Sequence, residues 1–317
     1  MVHIILPNTN GEKTLEKCLD SIQNQTYKDF KITFIDNASM DDSVALVTEK
    51  FPKVEVITNT ENKGIGVVVN NVAVKTNCEY ICIVLPDTVV EKTWLESMLK
   101  VADADPTIFS VCPVLVYPHN LAVAKQAGYG YTLGGMAFGM YGGKKVAKLK
   151  PKRVFAAPMS GALYNKKIFL NLNGYDEHYF NVWQDIDISW RGWRAGYKTI
   201  LCPESLVYRL GANAEAVDDT YVRLEARNNV WTIYKNLSAW SRFWHGYFIN
   251  RGREKMLRRY RKNRLHDVYF RGVKEGLQTR KKLIKRFKPK KSFFNSLKIN
   301  FKRLGYSWRR PFHKRIL

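Results

Sequence analysis

Short apolar runs alternate with amphipathic stretches along the first hundred residues. Residues 2–6, 30–35, 54–57 and 80–85 are predominantly apolar and of strand length, and the last run predicts a buried strand. Between them, Leu15, Cys18, Leu19 and Ile22 recur at helical spacing within 15–23. Asp41-Asp42-Ser43 opens a second helix that Phe51-Pro52 stops, and 64–76 and 94–104 read as two more. The alternation predicts an α/β fold: a mixed, mainly parallel sheet flanked by helices. Ligands of such sheets bind beyond the carboxyl ends of the strands. Here those ends are 7–11, 36–37 and 86–88, all polar and turn-forming.

From 117 to 150 the pattern loosens into a stretch rich in glycine and aromatics, predicted as a long loop with at most a hairpin. Regular patterning returns at Phe155. A helix is predicted over 185–195 with Gly196 as its stop, followed by short strands over 197–202 and 206–208. From about 216 the chain reads as helical to its end, with breaks near Pro289 and Pro311. The expected organisation is one α/β domain over 1–215 and a helical, basic C-terminal region over 216–317.

Charge sharpens that division. The chain carries 52 Lys/Arg against 28 Asp/Glu, a net +24, yet from residue 240 onward there are 26 basic and three acidic residues. A near-neutral body therefore carries a basic tail, which attracts polyanions. The tail interleaves its cations with Trp240, Phe243, Trp244, Tyr247, Phe248, Tyr269 and Phe270, then Phe287, Phe293, Phe294, Phe301, Tyr306 and Trp308. Helices of this composition suit an anionic membrane surface. A solvated helical bundle or a homo-oligomer face is the alternative. Nucleic acid is not the expected partner, because the chain contains no recognised nucleic-acid module. The five cysteines show no zinc or redox spacing and read as buried hydrophobes in a reducing compartment. Residues 1–7 have no signal-peptide character, and no apolar run reaches the roughly 18 residues of a bilayer span. The expected location is cytoplasmic, peripheral at the inner face of the cell membrane.

A series of short motifs then adds a resemblance. They are Asn8-Thr9-Asn10-Gly11, 18–27, Ile35-Asp36-Asn37-Ala38-Ser39-Met40-Asp41-Asp42-Ser43, 59–71, Leu85-Pro86-Asp87-Thr88, Ser160-Gly161-Ala162, Gly174-Tyr175-Asp176-Glu177, Asp185-Ile186-Asp187 and 203–208. In this order, over about 1–215, they resemble the family 2 glycosyltransferases of GT-A (Rossmann-like) fold, and within them the rhamnosyltransferase-like branch. The resemblance implies a nucleotide-sugar donor of UDP or dTDP type, with dTDP-rhamnose foremost, and a glycan or lipid-linked glycan as acceptor. It implies that Asp36 accepts the imide N–H of the base, with Asn8, Thr9, Asn62, Lys63 and Asn70 also on the donor. It makes Asp87 the carboxylate for a divalent cation, Mn²⁺ or Mg²⁺. Asp185 becomes the general base of an inverting transfer. Trp183 and Gln184 fall on the acceptor side.

Each residue has a plainer reading. Asp36 and Asp87 serve equally as turn residues, Asp187 as a helix N-terminal carboxylate, and Trp183 as core. The chain also departs from the family pattern. Leu85 stands where relatives carry Asp or Asn, Gln184 stands where they carry Glu, and Arg209 replaces a His that helps hold the metal. A guanidinium cannot ligate a cation, but it can pair with a diphosphate directly. These departures keep open a second reading, a non-catalytic glycosyltransferase-like binding protein at a membrane.

Overall fold

Seven consecutive buried residues make β1 (Val2–Asn8) an interior strand. After it come α1 (Glu12–Gln23), β2 (Phe30–Asn37), α2 (Ser43–Lys50), β3 (Glu55–Asn59), α3 (Ile65–Lys75) and β4 (Tyr80–Ile83). β1 pairs in parallel with β2 and β4, and β2 in parallel with β3. Successive side chains of β1 leave opposite faces. Val2, Ile4 and Leu6 join Leu15, Cys18, Leu19 and Ile22 of α1 in one core. Ile5 joins Val68, Val69 and Val72 of α3 in the other. Midway along these strands the buried polar groups pair with one another: His3 Nε2 meets Thr33 Oγ1 at 2.6 Å, and Thr33 Oγ1 donates to Glu55 of β3 at 2.6 Å.

This is a computed structural model, and it describes residues 1–211 and 218–284. The elements continue with β5 (Thr88–Val90), α4 (Trp94–Ala102), β6 (Ile108–Tyr117), β7 (Asn120–Gln126), β8 (Tyr129–Tyr131), β9 (Ala137–Gly139), β10 (Lys152–Val154) and β11 (Ala162–Asn165). Then come α5 (Lys166–Asn171), α6 (Gln184–Ala195) and β12 (Lys198–Arg209). The main sheet runs β10-β12-β6-β11-β4-β1-β2-β3, with β5 on β12 and β7 on β6. β11 is antiparallel to both its neighbours, so the sheet is mixed, as the GT-A resemblance implied.

Two expectations change. The stretch 117–150 is not one loop: β6 and β7 form an antiparallel pair, and β8 pairs with β9. The segments 197–202 and 206–208 are one strand. Its pairing to β6 shifts register between Leu201 and Leu206. Pro203 lies in that interval and cannot donate to a ladder, so the strand bulges there instead of ending. All five cysteines are free and buried.

Two compact units are distinguished. One comprises Met1–Tyr129, Gly139–Ser189 and Tyr197–Glu215; the other comprises Gly130–Phe138, Trp190–Gly196 and the chain from Ala216 on. The second holds α7 (Asp219–Asn236), α8 (Ala239–Trp244), α9 (Gly246–Lys262) and α10 (His266–Ile284). Val222 and Ala226 of α7 pack with Met256 and Tyr260 of α9 and Val268 and Tyr269 of α10. Arg223 and Arg227 of α7 both reach Glu275 of α10. The expected breaks at Pro289 and Pro311, and the aromatics from Phe287 on, lie outside the described residues.

In the first unit Trp94 is fully buried, and its Nε1 donates to the Gly161 carbonyl at 2.9 Å. It thereby fixes the segment that leads into β11. Trp94→Ala is expected to cost about 3–5 kcal/mol of stability, and Trp94→Phe clearly less. Urea unfolding midpoints of the two variants check this.

Candidate active site

Asn8 and Asp36 sit opposite each other in the β1–β2 register, both almost fully buried at the carboxyl ends of their strands. Asn8 Nδ2 donates to Asp36 Oδ1 at 3.2 Å and to Ser39 Oγ at 3.1 Å. The Ser39 N–H returns a hydrogen bond to Asp36 Oδ2 at 2.9 Å. Ser39 Oγ also receives the Asn10 N–H, and Asn10 Oδ1 the Met40 N–H, so the loops after β1 and β2 are laced together. Asn10 (φ 54°) and Ala38 (φ 63°) take left-handed backbone to turn these loops. One acceptor is left over: Asn8 Oδ1 is buried without a hydrogen-bond partner. Buried polar atoms are normally satisfied, and one that is not calls for an explanation such as an absent ligand. Thr9, the next residue, is exposed.

Asn37 faces the next connection. Its Nδ2 donates to Asn62 Oδ1 at 2.8 Å, and its Oδ1 accepts the Lys63 N–H at 3.1 Å. Asn62 and Lys63 are thus tethered to the end of β2. Asn70 is placed differently. Its Nδ2 donates to the Tyr175 carbonyl at 2.9 Å and Glu177 Oε1 at 3.0 Å, while its Oδ1 accepts the Tyr175 N–H. The amide is occupied in building the Gly174–Glu177 turn.

Asp87 and Arg209 meet where β5 pairs with β12, in which Thr88 is the register partner of Arg209. Arg209 Nε and Nη2 approach the same oxygen, Asp87 Oδ2, at 2.8 and 2.7 Å. The Leu210 N–H donates to the Asp87 carbonyl at 2.8 Å, locking backbone to backbone beside the ion pair. Thr88 Oγ1 is hydrogen-bonded to Ser160 Oγ.

One residue earlier, the Met159 N–H donates to Asp185 Oδ2 at 3.3 Å, and the Ile186 N–H donates to Oδ1 at 2.8 Å. Residues 159 and 160 therefore join Asp185 to the Asp87 strand. Asp185 is part-buried, and loss of water is the largest influence on its carboxyl, which is pushed up from 3.8 to about 6; the two N–H groups offset only part of that. Phe180, Val182 and Trp183, just ahead of α6, have φ of 63°, 61° and 78°. Left-handed backbone at a β-branched residue such as Val182 is strained. The strand-side anchor of this segment is Gly64 (φ 78°), where a Cβ would lie 2.7 Å from the Phe180 carbonyl oxygen, and the Ile65 N–H donates to that oxygen.

Trp183 and Gln184 are expected on the acceptor side, and Gln184 Oε1 is buried without a hydrogen-bond partner. Both are buried, and Gln184 Nε2 donates to the Phe180 carbonyl at 2.8 Å. They support the turn that aims Asp185. Asp187 is also buried and accepts from Tyr179 Oη. Asn37, Ser39, Thr88 and Ser160, which stand in the sequence motifs without an assigned role, form the connecting network. The available signal was their place, as polar residues at the end of apolar strands.

A divalent cation fits this donor set poorly. Asp87 is the carboxylate offered by the strand end, and a fixed guanidinium already neutralises it. Among the described residues no group of three or more His, Cys, Asp or Glu is placed to ligate a metal. Hard cations of this kind take several oxygen ligands.

A family profile described as Glycosyl transferase family 2 matches residues 3–172. The chain is 26% identical over 212 residues to the O-antigen chain rhamnosyltransferase RfbN of Salmonella typhimurium, a match spanning 65% of each chain. It is 20% identical over 250 residues to an N-acetylglucosaminyl-diphospho-decaprenol L-rhamnosyltransferase of Mycobacterium tuberculosis, covering 68% of this chain and 81% of that one. Among solved structures, the mannosyltransferase PcManGT of Pyrobaculum calidifontis, in complex with GDP-Man and Mn²⁺, superposes with a TM-score of 0.58 at 16% identity, over 87% of this chain and 86% of that one. S. aureus TarS in complex with UDP gives 0.52 at 13% identity over 92% of each. The fold is thus that of GT-A glycosyltransferases.

The Asp185 environment has a thermodynamic signature. A carboxyl raised in the folded state contributes fully to stability below about pH 4, and that contribution is lost as pH rises through about 6. Asp185→Asn carries no charge to desolvate. It is expected to be more stable than wild type at about pH 8, by at most about 3 kcal/mol before solvent screening, with the gap closing toward pH 4. Urea titrations at both pH values check this, and a pH-independent gap contradicts it.

Proposed function

The chain belongs to glycosyl transferase family 2, and from that premise we propose that it catalyses sugar transfer with inversion. The donor is a pyrimidine nucleoside diphosphate sugar, dTDP-rhamnose foremost. The acceptor is a hydroxyl of a surface glycan or of its lipid-linked precursor. Two of the relatives are named rhamnosyltransferases, one of an O-antigen chain and one of a diphospho-decaprenol acceptor, which supports this choice.

The observation that carries the reading is Asp185. It is a part-buried carboxylate with a pKa near 6, joined through residues 159–160 to Thr88, beside Asp87 and Arg209. A general base works best when its pKa lies near the working pH. In the transfer, the acceptor oxygen forms its bond to the anomeric carbon while its proton passes to Asp185. The bond from that carbon to the diphosphate oxygen breaks, and its electron pair leaves on the nucleoside diphosphate. Arg209 supplies fixed positive charge for that leaving group. Asp36 is the acceptor for the single imide N–H of the base, and the unpartnered Asn8 Oδ1 beside it is an acceptor for another donor group of the nucleotide.

Calorimetry against UDP-, dTDP- and GDP-sugars, in chelator and in Mn²⁺, tests the donor. Selective binding of a dTDP- or UDP-sugar is expected. Binding without transfer to any acceptor would favour the non-catalytic reading, and no binding by folded protein would overturn the proposal. Asp185→Asn is expected to lower kcat by about 10²–10⁴-fold with little change in donor Kd. The kcat/KM of the wild type should fall tenfold per pH unit below about pH 6, the acid limb that the Asp185 value dictates. For Arg209, chelator is expected to leave wild-type donor affinity within about twofold. Arg209→His should weaken donor binding by roughly 10–100-fold in chelator, with Mn²⁺ restoring part of the loss, since imidazole can ligate where guanidinium cannot. A wild-type enzyme that loses donor binding in chelator contradicts the guanidinium assignment.

A further inference from the structure

Helix α8 and the start of α9 present an aromatic stripe to solvent. Trp240, Phe243, Trp244 and Tyr247 recur at i, i+3, i+4 and i+7, the spacing of a single helical face. On a helix of a globular protein that face is the one packed into the core. Here every member is well over half exposed, with Phe243 at 77%, and Phe248 beside them is 45% exposed. The rings hold one another: Trp240 stacks on Phe243 at 6.4 Å between centroids, Trp244 meets Trp240 edge-on at 5.5 Å, and Tyr247 meets Phe248 at 5.6 Å. The opposite side already has its partners. Ser241 and Ile249 are buried, and Met256 and Tyr260 further along α9 enter the core with Val222 and Tyr269. The aromatic face is thus a second, separate apolar surface, and a contiguous exposed patch of this kind marks a contact site.

Charge selects the occupant. Between residues 239 and 284 there are fourteen Lys/Arg and three Asp/Glu, and residues 285–317 add twelve basic and no acidic residues. Arg251, Lys255, Arg258, Arg259 and Arg261 of α9 are exposed. A second copy of this chain would bring one strongly cationic region against another, a like-charge encounter that costs free energy. An anionic lipid surface supplies both complements: headgroup phosphates for the cations and a boundary layer that receives aromatic rings. The residue types agree, since Trp and Tyr concentrate at membrane–water boundaries. No helix among the described residues is long and apolar enough to cross a membrane, which is consistent with a helix lying along the surface.

We propose that the face formed by Trp240, Phe243, Trp244, Tyr247 and Phe248 is a wedge by which this chain inserts into the headgroup layer of an anionic bilayer, with the surrounding Lys and Arg holding it there. The wedge acts independently of donor chemistry. The test is flotation of the full chain with phosphatidylcholine vesicles lacking or containing about 30 mol% phosphatidylglycerol. Wild type should float only with the anionic vesicles, and its tryptophan emission should shift to the blue on binding. The combined variant Trp240→Ser, Phe243→Ser, Trp244→Ser removes exposed side chains only, so its circular dichroism and melting temperature should match wild type. It should lose at least about tenfold in vesicle affinity. In roughly 0.5 M salt, residual wild-type binding through the rings should exceed that of the variant.

The proposal is overturned if the folded variant floats as well as wild type, or if wild type floats with neither vesicle. It is overturned equally if sedimentation shows a wild-type dimer that the variant abolishes, which makes the face a subunit contact. It also falls if single-stranded oligonucleotide, and not anionic lipid, shifts the tryptophan emission.

Discussion

A strand covered on both faces by apolar side chains can offer chemistry only where it ends. That constraint governs the first unit. β1 is buried from Val2 to Asn8, with Val2, Ile4 and Leu6 in one core and Ile5 in the other. Polar side chains placed midway, His3 and Thr33, are spent on each other and on Glu55, because a buried polar group left unpaired costs about a few kcal/mol. Asn8, Asp36 and Asn37, at the last positions of two paired strands, escape this. They spend their hydrogen bonds on the loops that follow, so the loops inherit the rigidity of the sheet. The candidate site is less a pocket cut into the fold than the collected edge of its strands.

The same edge has to manage charge. Asp87 and Arg209 come from strands that pair antiparallel, and the register that sets Thr88 against Arg209 brings the guanidinium onto the carboxylate. Both side chains are partly screened by protein, and an ion pair there gains more than an exposed one. Asp185 has no such cation among the causes of its shift. Desolvation dominates, and only backbone N–H groups oppose it. Two carboxylates tied into one network through residues 159–160 are thereby given opposite fates. One is held as half of a neutral pair, and the other is left near the point at which it exchanges protons. That division separates the residue that manages leaving-group charge from the residue that takes a proton.

The fold was legible in the sequence wherever periodicity was clean. The four parallel strands and the helices between them follow directly from apolar runs of strand length and from Leu15, Cys18, Leu19 and Ile22. Reading failed where identity and pairing disagree. β12 looked like two strands because Pro203 interrupts it, although a bulge carries the strand past. β6 is an apolar run whose antiparallel partner β7 lies in the glycine-rich stretch that follows, where no alternation marks it. At the site, motif order named Asp36, Asp87 and Asp185, and a departure from the motif named Arg209. Asn70, Trp183 and Gln184 belong to those motifs too, yet they turn inward to hold turns. A motif records which residues a site needs, but not which of them touch a ligand and which hold the others in place. That distinction depends on side-chain direction, which sequence spacing near irregular turns does not encode.

Those inward residues explain why the segment before α6 tolerates left-handed backbone at Phe180, Val182 and Trp183. Each such residue costs on the order of 1–3 kcal/mol, so the conformation needs external anchors. Gly64 lets the backbone of 64–65 reach the Phe180 carbonyl, and Gln184 donates to that same oxygen. Trp183 and Gln184 add buried contacts. The strain and the anchors act on one short stretch whose C-terminal end is Asp185, a group whose ionised form burial disfavours. Folding energy from the first unit is thus concentrated on fixing a carboxylate where water would not leave it, and the turn that looks least regular in the chain is the one the core works to maintain.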